Sequence, residues 1–219
     1  MAGASAQVST IDSAAPSVRV VQLTDTHLCQ QAGGTLIGMD TDRSLESVIR
    51  HMLDEQERVD LVLGTGDLSD KGALEAYQRL EDFFGVIPAP SFWLPGNHDD
   101  LSQMQAAARS DERLVGEVQV GQWQILLLDS QVPGEVGGQL GPRELERLEA
   151  SLARAAEAGQ FTLVCLHHQP VEVGCQWLDE QMVADALSFW GIIDRYAECV
   201  ASSGDMSTRR STGIAAGFD

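Results

Sequence analysis

Four times in this chain an apolar run stops at a short polar cluster. Val18-Arg-Val-Val-Gln-Leu23 ends at Thr24-Asp25-Thr26-His27, and Asp60-Leu-Val-Leu63 ends at Gly64-Thr-Gly-Asp67. Phe92-Trp-Leu94 ends at Pro95-Gly-Asn-His-Asp99, and Phe161-Thr-Leu-Val-Cys-Leu166 ends at His167-His168. Apolar, β-branched runs of this length bounded by turn residues predict buried strands. In α/β sheets, ligands bind beyond the carboxyl ends of the strands. The recurrence therefore predicts a fold that gathers the four clusters on one rim.

The segments between the strands fit this. Leu45, Val48, Ile49 and Met52 have helical spacing and predict a helix over 41–57, and 73–84 reads as a second. Val115–Val120 and Trp123–Leu128 flank Gly121-Gln122, a hairpin signal. Pro142 opens a long helix to about Ala158. Strands alternating with helices argue for an α/β domain.

The chain has 219 residues, 43 % of them hydrophobic, which is enough for one domain with one sizeable core. Its formal net charge of -19 repels phosphate backbones and anionic bilayers. A nucleic-acid polymer and a membrane are therefore not expected as partners. There is no run of 18 apolar residues to span a bilayer. Residues 1–17 are small and polar, lack the pattern of a signal peptide, and are expected to form a flexible tail. Cys29, Cys165, Cys175 and Cys199 show no CxxC spacing and read as free thiols in a cytoplasmic protein.

Each polar cluster alone has an ordinary explanation. Asp25 could cap a loop, Gly66-Asp67 and Asn97 could be turn residues, and the histidines could be structural. Converging on one rim, they form a set of carboxylate, amide and imidazole donors suited to hard or borderline divalent ions.

The order D-x-H (Asp25-Thr-His27), GD (Gly66-Asp67), GNHD (Gly96-Asn-His-Asp99) and a late histidine resembles the calcineurin-like metallophosphoesterases. Leu23–Leu28, Leu94–Asp99, Trp123–Gln131 and Leu166–Pro170 look like the bacterial class III cyclic-AMP phosphodiesterases. The resemblance runs from about Val18 to Tyr196. It implies a four-layer αββα sandwich and a site for two divalent ions, iron or manganese, with zinc as a further candidate. Asp25 and His27 would hold one ion, Asp67 would bridge, and Asn97 and His167 would hold the other. His27, Asp67, Asn97 and His98 would lie closest to the phosphate. The reaction implied is hydrolysis of 3′,5′-cyclic AMP to 5′-AMP by hydroxide made available between the ions. His98 would protonate the departing 3′ oxygen, with Asp99 orienting its imidazole.

The chain departs from the family pattern in one respect. Such enzymes carry a Gly-His-x-His motif, and no such motif follows His168. Residues 197–219 carry no strand pattern and are expected to form a non-homologous tail, with the domain over 18–196 lacking its C-terminal strands. A permitted choice of codons for Ser203–Gly213, read after dropping two bases, spells Trp-Gly-His-Val-His-Gln-Glu-Ile-Asp-Arg, so the tail is expected to be a frame-shift product. The alternatives that stay open are another phosphoesterase on this scaffold, such as a phosphomonoesterase, or an inactive remnant.

Overall fold

The computed structural model describes residues 5–11, 17–196 and 200–203. In chain order, β1 (Ser5–Ile11), β2 (Val20–Leu23) and a small hairpin of β3 (Thr35–Leu36) and β4 (Met39–Asp40) precede α1 (Thr41–Glu55). Next come β5 (Leu61–Thr65), α2 (Leu74–Gly85), β6 (Ser91–Leu94) and α3 (Leu101–Ala107). β7 (Val115–Val120), β8 (Trp123–Leu127), α4 (Gly141–Ala158) and β9 (Phe161–Cys165) follow. The last elements are α5 (Gln176–Asp179), α6 (Ala186–Ile193) and β10 (Val200–Ser203).

Beside the β3–β4 hairpin, the described strands make two larger sheets, a three-stranded one ordered β2-β5-β6 and a five-stranded one ordered β1-β7-β8-β9-β10. Within these two sheets the neighbours are parallel except β7 and β8, which pair antiparallel around the expected turn, Val120 opposite Trp123. Gly121 adopts a positive φ of 57° there, as tight hairpin turns require.

The period-two alternation of a strand sorts the core into three layers. Leu61, Leu63, Phe92 and Leu94 face Val118, Ile125 and Leu127 between the two sheets. On the outer face of the small sheet, Val62 and Trp93 pack on Leu45 and Ile49 of α1 and Tyr77, Leu80 and Phe84 of α2. On the outer face of the large sheet, Leu126 and Val164 meet Leu148 and Leu152 of α4 and Phe189 and Ile193 of α6. This is the expected αββα sandwich.

Helix ends follow local chemistry. The Asp40 carboxylate accepts the Arg43 amide at 3.0 Å and starts α1 at Thr41. Gly159, at φ 65°, ends α4.

Two segments differ from expectation. Ser5–Ile11, read as part of a flexible tail, runs parallel to β7, and the Ser9 hydroxyl donates to Glu112 at 3.0 Å. Val200–Ser203, read as part of a tail without strand character, pairs parallel with β9. Both are edge strands whose ladder is supplied by a partner, so their own sequence carries little periodic signal. The rest of the expected tail, residues 197–199 and 204–219, lies outside the described residues. Among the described residues no helix is long and apolar enough to cross a membrane. Cys29 and Cys175 are free thiols, and Cys199 lies outside the described residues.

Candidate metal centre

The loops after β2 and β5 are zipped together. The amides of Asp25 and His27 donate to the carbonyls of Gly66 and Asp67 at 3.0 and 2.9 Å, and Leu28 N–H donates to Leu68 O at 3.1 Å. The zip forces Asp25, His27 and Asp67 to positive φ values of 53°, 43° and 50°. Non-glycine residues avoid this region, and such strain clusters at functional sites.

Asp67 is the centre of the arrangement. Its Oδ2 lies 3.7 Å from His27 Nε2 and 4.0 Å from His98 Nε2, and its Oδ1 lies 3.5 Å from His167 Nε2. His27 Nε2 is also 3.9 Å from Asp25 Oδ1. These separations exceed a hydrogen bond, yet two ligands about 2.1 Å from one cation sit at roughly this distance from each other. The donor set therefore fits divalent ions.

Ligand atoms of Asp25, Asp67 and His167 lie within 4.8 Å of one another, as do those of His27, Asp70 and His98. This grouping sets Asp25 beside His167 as well as beside His27, and brings in Asp70, which the motif reading did not include. Asp70 sits in the Gly66–Gly72 loop, where its proximity to Asp67 was the only available signal.

Gly96 is needed at this spot. A Cβ there would come within 2.3 Å of Asp67 Oδ1 and 2.8 Å of His167 Nε2. Gly66, at φ 96°, likewise leaves room for the His167 ring, 2.4 Å from where a Cβ would stand.

His167 crosses between the sheets. It follows β9 of the large sheet, and its Nδ1 donates to Thr65 O of the small sheet at 3.1 Å, which leaves Nε2 turned to Asp67. Burial opposes its protonation, but the carboxylates of Asp67 and Asp25 outweigh this and raise its pKa to about 8. Asp67 responds in kind. Burial alone would raise its pKa, while His167 and the His98 amide bring it below the ordinary carboxylate value.

His168 is a structural histidine. Ser130 Oγ donates to its Nδ1 at 2.8 Å, and its Nε2 donates to Val136 O at 3.2 Å, so both ring nitrogens are engaged. Burial pushes its pKa down to about 4.

Asn97 and His98 are the two middle residues of a turn closed by the Asp99 amide on Gly96 O at 3.2 Å. His98 Nδ1 pairs with Asp70 O at 2.8 Å; a carbonyl only accepts, so the proton is on Nδ1 and Nε2 faces the centre.

The role expected for Asp99 is corrected. Its buried carboxylate points away from the His98 ring and accepts the amides of Ser69 (3.0 Å), Leu68 (3.2 Å) and Gly96 (2.9 Å) and the Tyr77 hydroxyl (2.8 Å). Consecutive residues of this turn send their side chains to opposite sides, one to solvent and one to the interior. Asp99 thus staples the two loops that carry the candidate ligands to α2, while the backbone of Asp70 orients His98. Burial raises the Asp99 pKa, against the pull of its amide and hydroxyl donors.

Two packed sheets flanked by helices, with carboxylates and imidazoles from four strand ends converging on one rim, make a scaffold with a candidate divalent-metal centre. The family model for calcineurin-like phosphoesterase matches residues 18–194, and the chain belongs to this family.

Among curated proteins, it is 43 % identical over 163 residues to the 3′,5′-cyclic adenosine monophosphate phosphodiesterase CpdA of Pseudomonas aeruginosa, covering 74 % of this chain and 59 % of that protein. It is 41 % identical over 175 residues to CpdA of Escherichia coli (strain K12), covering 77 % and 62 %. The chain thus spans about 60 % of the length of these relatives. Among solved structures, a dimetal phosphatase from Danio rerio superposes with a TM-score of 0.61 at 13 % identity, covering 85 % of this chain and 80 % of that one. A purple acid phosphatase from yellow lupin seeds gives 0.57 at 15 %, covering 82 % and 36 %, and both show the shared fold.

Proposed function

We propose that this chain hydrolyses 3′,5′-cyclic AMP to 5′-AMP with two divalent ions, iron or manganese, or zinc, which suits the same donors. The observation that carries the reading is the division of Asp67, with Oδ2 toward His27 and His98 and Oδ1 toward His167. Asp25 and His27 would hold one ion, and Asn97 and His167 the other. Bound there, the ions would supply positive charge to the phosphoryl oxygens and lower the pKa of water. The names of the relatives from Pseudomonas aeruginosa and Escherichia coli support the choice of a cyclic nucleotide.

His98 is the group suited to protonate the departing 3′ oxygen. Its side chain is 41 % exposed, and Asp70 O fixes its Nδ1 proton, which leaves Nε2 free to deliver a second. His27, Asp67, Asn97 and His98 form the face nearest the phosphate.

The residues after Ser203 belong to the same proposal. β10 ends with Ser203 opposite Cys165, two residues before His167. A frame restored over codons 203–213 would add histidine donors there, and the coding DNA tests this directly.

Cyclic-AMP hydrolysis with added Mn²⁺ is the deciding assay, run beside p-nitrophenyl phosphate on this chain, on a frame-restored chain and on H98A. H98A should lower kcat about 10²–10⁴-fold. Turnover of the monoester without the cyclic diester would replace the substrate proposal. Equal activity of the present and restored chains would overturn the frame reading.

A further inference from the structure

We infer that Gln131 is a positioning residue that sets the register between the turn carrying Asn97 and His98 and the sheet carrying His167. A glutamine amide nitrogen has two hydrogens to donate. Gln131 Nε2 donates to Gly96 O at 2.7 Å and to Asp99 O at 2.6 Å, the two ends of one turn. Gln131 is itself fixed, because its backbone N–H donates to Asp129 Oδ1 at 2.9 Å. The preceding residue, Ser130, holds His168. The segment after β8 of the large sheet thus grips both the 96–99 turn and the residue next to His167.

The grip matters because of where the donors come from. Asn97 follows β6 of the small sheet and His167 follows β9 of the large one. Donors sharing an ion must be held to about 0.5 Å, and Asp99 and Tyr77 tie the turn only to its own side. Asp25, His27 and Asp67 all come from loops of the small sheet that are already zipped together. Gln131 is neutral, so its contribution is positional and not electrostatic.

The inference rests on the two-ion reading, and its test separates the two. Q131M keeps the stem and removes the donors; Q131A removes both. Amide hydrogen exchange and Mn²⁺ calorimetry on the intact chain are the readouts. Exchange at the His98 and Asp99 amides should quicken about tenfold, with α2 amides unchanged. One Mn²⁺ step should weaken about 10–100-fold, the size usual for residues that orient ligands, while the other holds. Unchanged exchange in Q131M, or equal weakening of both steps, would overturn the inference. If the unmodified chain takes up no Mn²⁺, the two-ion reading fails, and exchange alone decides whether Gln131 holds the turn.

Discussion

The Tyr77 hydroxyl donates to Asp99 Oδ1 at 2.8 Å and accepts the Asp100 amide at 2.9 Å, so one phenol on α2 closes the far side of the turn that presents Asn97 and His98. Tyr77 is fully buried. Y77F should cost about 1–3 kcal/mol, since it leaves the Asp100 amide and the buried Asp99 carboxylate each short of a partner. D99N should cost more, because its amide nitrogen would face amide donors. Urea unfolding of both variants checks this order; a costlier Y77F would break the account of Asp99 as a staple.

His167 owes its raised pKa to Asp67 and Asp25 acting against burial. In D67N the main support is gone and burial remains. The His167 pKa should fall from about 8 by a unit or more, followed by NMR of the metal-free protein. D67N should also abolish tight Mn²⁺ binding without loss of fold. A His167 pKa that stays near 8 would mean another group holds its proton.

His167 and His168 should pull stability in opposite directions with pH. The folded-state pKa of His167 is raised from 6.5 to about 8, so its contribution is complete below pH 6.5 and lost as pH rises through 8. That of His168 is lowered from 6.5 to about 4, so its contribution is present above pH 6.5 and lost as pH falls toward 4. In metal-free protein, H167Q should flatten the alkaline limb of the urea midpoint against pH, and H168Q the limb between 6.5 and 4. Mn²⁺ must displace the His167 proton, so its affinity should rise with pH and level off above 8.

Gly96→Ala should lose metal binding, because the added methyl would meet Asp67 Oδ1, the Asp67 amide and His167 Nε2, all under 3.0 Å. Overpacking of this kind costs about 1–3 kcal/mol. Gly85→Ala, with nothing within 4 Å of the new methyl, is the control. Equal Mn²⁺ isotherms for the two variants would remove Gly96 from the account.

What could be read from the sequence follows from which signals are local. The strand-to-cluster junctions at Asp25, Asp67, Asn97 and His167 are local, and with them the α/β alternation and its rim were legible, while the four-layer sandwich came from the family resemblance. The role of Asp99 was misread because adjacency to His98 in sequence suggests contact, while the turn separates their side chains. Tyr77 and Gln131 are ordinary residue types whose partners lie 22 to 35 positions away, and no spacing rule reports such bonds. β1 and β10 borrow their ladders from neighbours, so their own residues announced little.

The left-handed backbone at Asp25, His27 and Asp67 has a consequence for lineage. Each such residue costs about 1–2 kcal/mol relative to a relaxed conformation, a cost that the proposed ligation by those side chains would offset. A descendant that had stopped binding metal would be free to shed it, and drift should convert these positions first to glycine or asparagine. On the proposed assignment, the three strained residues would act as a molecular record of use, to be read in a relative by what stands there.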